Sequence, residues 1–223
     1  MKKVSVVIPA FLPNKKYFDY LTQAAQSVFE QTYANCNLII VFNGPYCEEI
    51  QGATNIFLRD KTSAATARNI GASIGWDCDY FAFLDADDCY YPNKIEKQII
   101  EATSKNLDFI FTEADIIDGA NNLCGVYPFE NNAFFNDDIK NLLPYQNILI
   151  SSSVMIKQET FFKCGMYPTT IEYKITGNPR HHNEKGLICE DYHMWFTAIN
   201  KGYIFYKIPE ILTSYRKNTS VER

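Results

Sequence analysis

The chain has 223 residues, 47% of them hydrophobic, with a formal net charge of -5 and a pI near 5.3. That length accommodates one domain with a real core, and the acidic balance argues against a nucleic-acid binder that works by neutralising phosphates. The apolar runs "VVIPAF", "NLIIVF" and "YFAFL" fall far short of the roughly 20 residues a membrane-spanning helix requires.

In chain order, "VSVVIPAF" (Val4 to Phe11) is a continuous β-branched run of the kind buried on both faces of a parallel sheet. Its lead-in "MKKVSVVIPA" has no small-residue cleavage site, so no signal peptide is expected. Beyond Pro13 and Asn14, the residues Tyr17, Phe18, Leu21, Ala24, Ala25, Val28 and Phe29 form one stripe of a helix. "NLIIVF" is a second strand, stopped by the turn "NGP", and "NIFL" (Asn55 to Leu58) a third. Thr62 or Ser63 can cap a helix whose inward face is Ala67, Ile70, Gly71 and Ile74. "YFAFL" is the fourth strand, followed by a helix that starts at Pro92 and turns Ile95, Ile99 and Ala102 inward. A fifth strand lies in "LDFIFTEADII". The alternation predicts an α/β fold with a mostly parallel sheet covered on both faces.

From about Ile116 the pattern is less regular. "DGANNLCGVYPFENNAFFNDD" reads as loops with a short strand, "SSVMIK" as a strand, and "QETFFKCG" as a short helix closed by Gly165. Thr169 to Gly186 reads as a mobile loop, "EDYHMWFTAINKG" as a helix ending at Gly202, and "YIFYKI" and "ILTSYR" as two strands. No internal repeat or linker is evident, so one domain is expected, with a donor half (1–115) and an irregular second half (116–223). The seven cysteines, Cys36, Cys47, Cys78, Cys89, Cys124, Cys164 and Cys189, form no CxxC pair and suit reduced thiols in a cytoplasmic protein.

The stretch "YFAFLDADDCYYP" carries the chemistry. A buried strand ends in Asp85, Asp87 and Asp88, carboxylates whose mutual repulsion calls for a cation or donors nearby. In open α/β sheets ligands bind beyond the carboxyl ends of the strands, and carboxylates with water suit magnesium or manganese, which keep positions for phosphate oxygens. An isolated D-x-D is also compatible with a solvated acidic turn, or with a phosphatase-type aspartyl nucleophile. A calcium loop from Asp85 fits poorly, because its sixth position is Tyr90 where a sharp turn needs glycine. "GASIG" (Gly71 to Gly75) matches G-x-S-x-G, yet it follows a helical pattern, so Ser73 sits inside a helix and not on an elbow. Neither G-x-G-x-x-G nor a P-loop occurs. His181 and His182, with Arg180 and Glu184, read as a solvated loop.

Taken together, "VSVVIPAF", "SVFEQTYANCNLIIVFNG", "ATARNIGASIG", "FLDADD", "SSSVMIK", "EDYHMWFTAINKG" and "YRKNTS" resemble the family 2 glycosyltransferases over nearly the whole chain. That resemblance implies a GT-A fold. It also implies inverting transfer of a sugar from a nucleotide-diphosphate donor, expected to be a UDP-sugar, to a glycan or lipid-linked acceptor, with Mg2+ or Mn2+ as cofactor. By the same resemblance, Pro9 and Phe11 border the nucleoside, with the Phe11 ring on the base, and Arg68 contacts the nucleotide. Asp85 sits by the ribose and metal, Asp87 is the main metal ligand with Asp88 beside it, and Asp191 is the general base with Glu190 as its fallback. The helix dipole would keep Asp191 ionised. Tyr90, Tyr91 and Trp195 can line the site or fill the core.

Three departures from the family pattern stand out. Phe42 and Asn43 occupy the place of two acids after the second strand, where the Asn43 amide can still pair with a base edge. Asn218 stands near where many relatives have a histidine, and the chain stops soon after, at Arg223. The expected setting is the cytoplasm, with contact at the inner membrane face compatible. A second reading, a non-catalytic nucleotide-sugar-binding domain, takes Asn43 and Asn218 as its hints.

Overall fold

The computed structural model describes residues 1–127, 135–169 and 189–217. Every residue of β1 (Val4–Ala10) is buried, as its unbroken β-branched run requires of a central parallel strand. Asn14 caps α1 (Lys15–Phe29) by accepting the Lys16 N–H, and β2 (Cys36–Phe42) and β3 (Thr54–Phe57) follow. Ser63, one of the two anticipated caps, accepts the Thr66 N–H at the start of α2 (Ala64–Ile74). Then come β4 (Tyr80–Phe83), β5 (Cys89–Tyr90), α3 (Lys94–Lys105), β6 (Phe109–Ile117) and β7 (Leu123–Val126). The second half adds α4 (Asn136–Leu142), a 3-10 turn (Ser151–Ser153), β8 (Met155–Lys157), α5 (Gln158–Lys163), α6 (Glu190–Asn200) and β9 (Phe205–Arg216). Gly165 and Gly202, at φ of 92° and 83°, take the left-handed turns after α5 and α6.

The strands form one sheet in the order β3-β2-β1-β4-β8-β6-β9-β5, with β7 against β6. β3, β2, β1 and β4 run parallel, as do β6 and β9, while β8 is antiparallel to both its neighbours. Strand alternation divides the core between two faces. Phe81 and Phe83 of β4 join Phe109, Phe161 and Trp195 on one side, and Tyr80, Ala82 and Leu84 join Val6, Ile8, Leu21 and Ile99 on the other. The sheet is thus covered on both faces, as expected.

Several local expectations change. Phe29 and Ile74, placed on inward stripes, are 44% and 45% exposed, and Tyr20 and Arg68 are buried on those helices instead. Pro92 precedes α3 by two residues, and Asn93 holds the cap position. The two strands expected in "YIFYKIPEILTSYR" are one, β9, whose register against β6 slips between Thr112↔Ile208 and Glu113↔Ile211. Pro209 has no N–H for the ladder, and the bulge there lets the strand continue past it. α4 falls in a stretch read as loop and short strand. Residues 128–134, most of the expected loop Thr169 to Gly186 (with Arg180, His181, His182 and Glu184), and Asn218 lie outside the described residues. Among the described residues no helix is long and apolar enough to cross a membrane.

Candidate active site

The carboxyl end of β4 opens into a turn closed by the Asp88 N–H on the Asp85 carbonyl at 3.1 Å. A cavity of about 500 Å³ lies over it, walled by Pro9, Phe11, Tyr17, Arg68, Asp85, Asp87, Glu190 and Asp191 among others. A second cavity, of about 170 Å³, has Tyr127, Asn147, Ser151, Tyr215 and Arg216 in its wall and shares Asp85, Asp87 and Asp191 with the first. Three acids from two distant stretches of the sequence therefore stand between two hollows.

Arg68 ties these two stretches together. From the second turn of α2, its Nη2 donates to Asp85 Oδ1 at 2.6 Å and its Nη1 to Glu190 Oε1 at 2.7 Å, with the guanidinium 5.4 Å from the Tyr167 ring centre. Burial opposes the Arg68 charge, but Asp85, Tyr167 and Glu190 outweigh it and raise its pKa. Arg68, expected to contact the nucleotide, lines the larger cavity and grips two carboxylates there. That grip also separates the two candidate bases, since Glu190 is held by Arg68 while Asp191 lines both cavities.

The carboxyl of Asp191 is pushed up to about 6, first by burial and then by Glu190, against Arg68 and the Tyr192 N–H. The helix dipole, expected to favour the ionised form, is thus outweighed in the direction of the shift. A surface first-turn dipole effect is worth only about 0.3–1 kcal/mol, whereas desolvation beside another acid shifts a carboxyl by whole pKa units.

Asp88 departs from its expected part as a metal ligand. It is fully buried, with Oδ2 accepting from Ser152 Oγ at 2.6 Å and Oδ1 from the Arg216 N–H at 2.7 Å. Burial, Asp87 and Asp85 together raise its pKa. Of the three clustered acids, Asp85 and Asp87 face the cavities. No group of three His, Cys, Asp or Glu side chains spaced to hold a metal occurs among the described residues. A pair of hard carboxylate oxygens nevertheless fits Mg2+ or Mn2+, which commonly use one or two carboxylates and fill the remaining positions with phosphate and water.

Pro9 and Phe11 do border the larger cavity. The Phe11 ring is 41% exposed and carries Lys61 Nζ at 4.5 Å from its centre. Asn43 is not in that wall; its Nδ2 donates to the Thr62 carbonyl and hydroxyl, and its Oδ1 is buried without a hydrogen-bond partner. Trp195 is core, packed on Phe109 and Tyr167. Tyr90 is buried with its hydroxyl on the Phe83 carbonyl, and Tyr91 donates to Asp115. The aromatic rings in the walls are instead Phe11, Tyr17, Tyr127 and Tyr215. Tyr127, Tyr215, Ser152 and Arg216 escaped the sequence reading. Ser152 stood in the quoted stretch "SSSVMIK" and Tyr215 and Arg216 in "YRKNTS", but the spacing of polar residues in such stretches does not show which of them turn inward.

Residues 5–163 match glycosyl transferase family 2. The chain belongs to that family of sugar-transferring enzymes. It is 26% identical over 225 residues to an uncharacterized glycosyltransferase of Methanocaldococcus jannaschii, covering 96% of this chain and 70% of that one. It is 23% identical to the O-antigen biosynthesis glycosyltransferase WbnJ of Escherichia coli, covering 94% of this chain and 79% of WbnJ. Among solved structures, S. aureus TarS 1-349 in complex with UDP-GlcNAc superposes with a TM-score of 0.69 at 12% identity, over 98% of this chain and 60% of TarS. That likeness establishes the GT-A fold. This family 2 chain thus spans 70%, 79% and 60% of the lengths of these three proteins.

Proposed function

We propose that this family 2 chain transfers a sugar from a UDP-sugar to an acceptor hydroxyl with inversion, in the assembly of a surface polysaccharide or related glycan. The observation that carries this reading is the position of Asp191, whose carboxyl lines both cavities. The larger one is sized for a nucleotide sugar, with Pro9 and the exposed ring of Phe11 bordering the base. The acceptor, a glycan or lipid-linked sugar, enters by the smaller cavity. The UDP-GlcNAc complex of a protein with the same fold and the role named for WbnJ support the donor and the pathway class.

In this mechanism Asp191 accepts the proton of the acceptor hydroxyl as its oxygen forms the new bond to the anomeric carbon. The old bond breaks on the opposite face, and its electron pair leaves with the nucleoside diphosphate. A carboxylate with a pKa of about 6 is still ionised at neutral pH and is more basic than an ordinary aspartate. Arg68 donates to both Glu190 and Asp85 and holds them in place. Asp85 and Asp87 would hold Mg2+ or Mn2+, which supplies positive charge that favours departure of the diphosphate.

The deciding experiment is calorimetric titration with a panel of nucleotide sugars in Mn2+, followed by an assay for sugar release to water or acceptors. A UDP-sugar that binds and turns over, with both lost on exhaustive chelation, is the expected outcome. Turnover undiminished by chelation would remove the metal role of Asp85 and Asp87. Binding with no release to any acceptor would favour a non-catalytic binding domain.

A further inference from the structure

The turn that carries Asp85 and Asp87 is fastened by side chains on the side away from the larger cavity. Asp88 and Ser152 are both fully buried and line neither cavity. A serine hydroxyl has one proton. That of Ser152 goes to Asp88 Oδ2 at 2.6 Å, leaving the oxygen to accept the Asp85 N–H at 3.0 Å. The other oxygen of Asp88 takes the Arg216 N–H, and the Arg216 side chain returns to the turn, with Nε donating to the Asp87 carbonyl at 2.7 Å. Arg216 is itself fixed by Nη1 on the Asp118 carbonyl at 2.7 Å and by the Tyr20 ring 4.4 Å away. The Asp85 N–H and the Asp87 carbonyl are thus pinned from two distant elements, the 3-10 turn Ser151–Ser153 and the end of β9.

We infer that Asp88, Ser152 and Arg216 are positioning residues, a buried latch that fixes the backbone of Asp85 and Asp87 and so sets affinity for the divalent ion without touching it. The inference rests on the metal role proposed above. Two neighbouring carboxylates repel each other until a cation joins them, and a turn free to relax would carry them apart. Bonds formed in folding hold them at one spacing, so less ordering is left for the moment of binding. Groups behind a metal's ligands typically change affinity by about 10–100-fold when removed.

The test measures Mn2+ binding to the purified protein by the signal of free Mn2+, alongside thermal unfolding. Ser152→Ala and Arg216→Lys are expected to weaken Mn2+ binding about 10-fold or more. Ser153→Ala, which removes an equally buried hydroxyl that donates to the Ile150 carbonyl, is expected to leave binding unchanged whatever it does to stability. Folded Ser152→Ala and Arg216→Lys proteins that bind Mn2+ as tightly as the wild type would overturn the latch. Wild-type protein that binds no Mn2+ would instead overturn the metal role, and the latch with it. Should a variant not fold, amide exchange in the metal-free wild type decides. The Asp85 and Arg216 N–H groups should already be protected, and free exchange of both until Mn2+ is added refutes a preformed latch.

Discussion

Asp191 answers to opposing influences, and their balance fixes two measurable properties. Burial and Glu190 raise its pKa from the usual 3.8 to about 6, while Arg68 pulls it down. As a base it must be ionised, so kcat/KM should fall as pH drops through about 6 and level off above it. The same shift bears on folding with the opposite preference. The folded state binds this proton more tightly than the unfolded chain, so stability declines as pH rises from about 4 to 6 and is constant above that. Asp191→Asn removes the ionisation, and above pH 6 the metal-free variant should be more stable than the wild type by ~1–3 kcal/mol. Its transfer rate should fall by ~10²–10⁴-fold while donor binding survives. A variant equally active, or less stable at pH 8 than at pH 5 relative to wild type, would remove Asp191 from the role of base.

The helix α2 illustrates how a misleading motif acquires a packing explanation. "GASIG" places Gly71 where an added Cβ would stand 2.4 Å from Val7 Cγ1 and 3.2 Å from Val41 Cγ2, so the glycine lets α2 lie close on β1 and β2. Alanine gains roughly 1 kcal/mol in helix propensity, but overpacking against β-branched residues of central strands costs about 1–3 kcal/mol, and the clash should prevail. Gly71→Ala is therefore expected to lower the denaturant midpoint. Ser73→Ala, which loses only a bond to the Asn69 carbonyl on an exposed face, should alter neither stability nor activity. A Ser73→Ala protein that loses its activity would revive Ser73 as a G-x-S-x-G nucleophile. The parallel strands, α1, α2 and α6 were legible because their periodicity comes from burial against one sheet. β9 was not, because its Pro209 reads as a break, which only a neighbouring strand can bridge. The cavity walls were legible at Asp85 and Asp87, where motif and strand end coincide, and at Asp191, at the start of α6. It was not at Asp88, whose inward turn depends on Ser152 and Arg216, 64 and 128 residues away.

Long-range ties of this kind bear on whether the donor half and the acceptor half are separable. A division after residue 115 cuts through β6, and the strand order places β8 between β4 and β6, and β9 between β6 and β5. A fragment ending at 115 would lack both intervening strands, leaving edges of β4 and a shortened β6 unpaired. Arg68 adds a buried bridge from α2 to Glu190 on α6, and losing one partner of such a pair typically costs about 3–5 kcal/mol. The expectation is one cooperative unfolding transition. The two tryptophans make it measurable, since Trp76 is 64% exposed after α2 while Trp195 is buried under β6. In Trp76→Phe protein the remaining fluorescence reports the acceptor half alone, and far-UV circular dichroism reports both. Coincident midpoints in denaturant mean that the halves unfold together. If Trp195 reported a separate, earlier transition, the acceptor half would be an independently melting unit. The shared sheet would then be insufficient to couple Asp191 to Asp85 and Asp87.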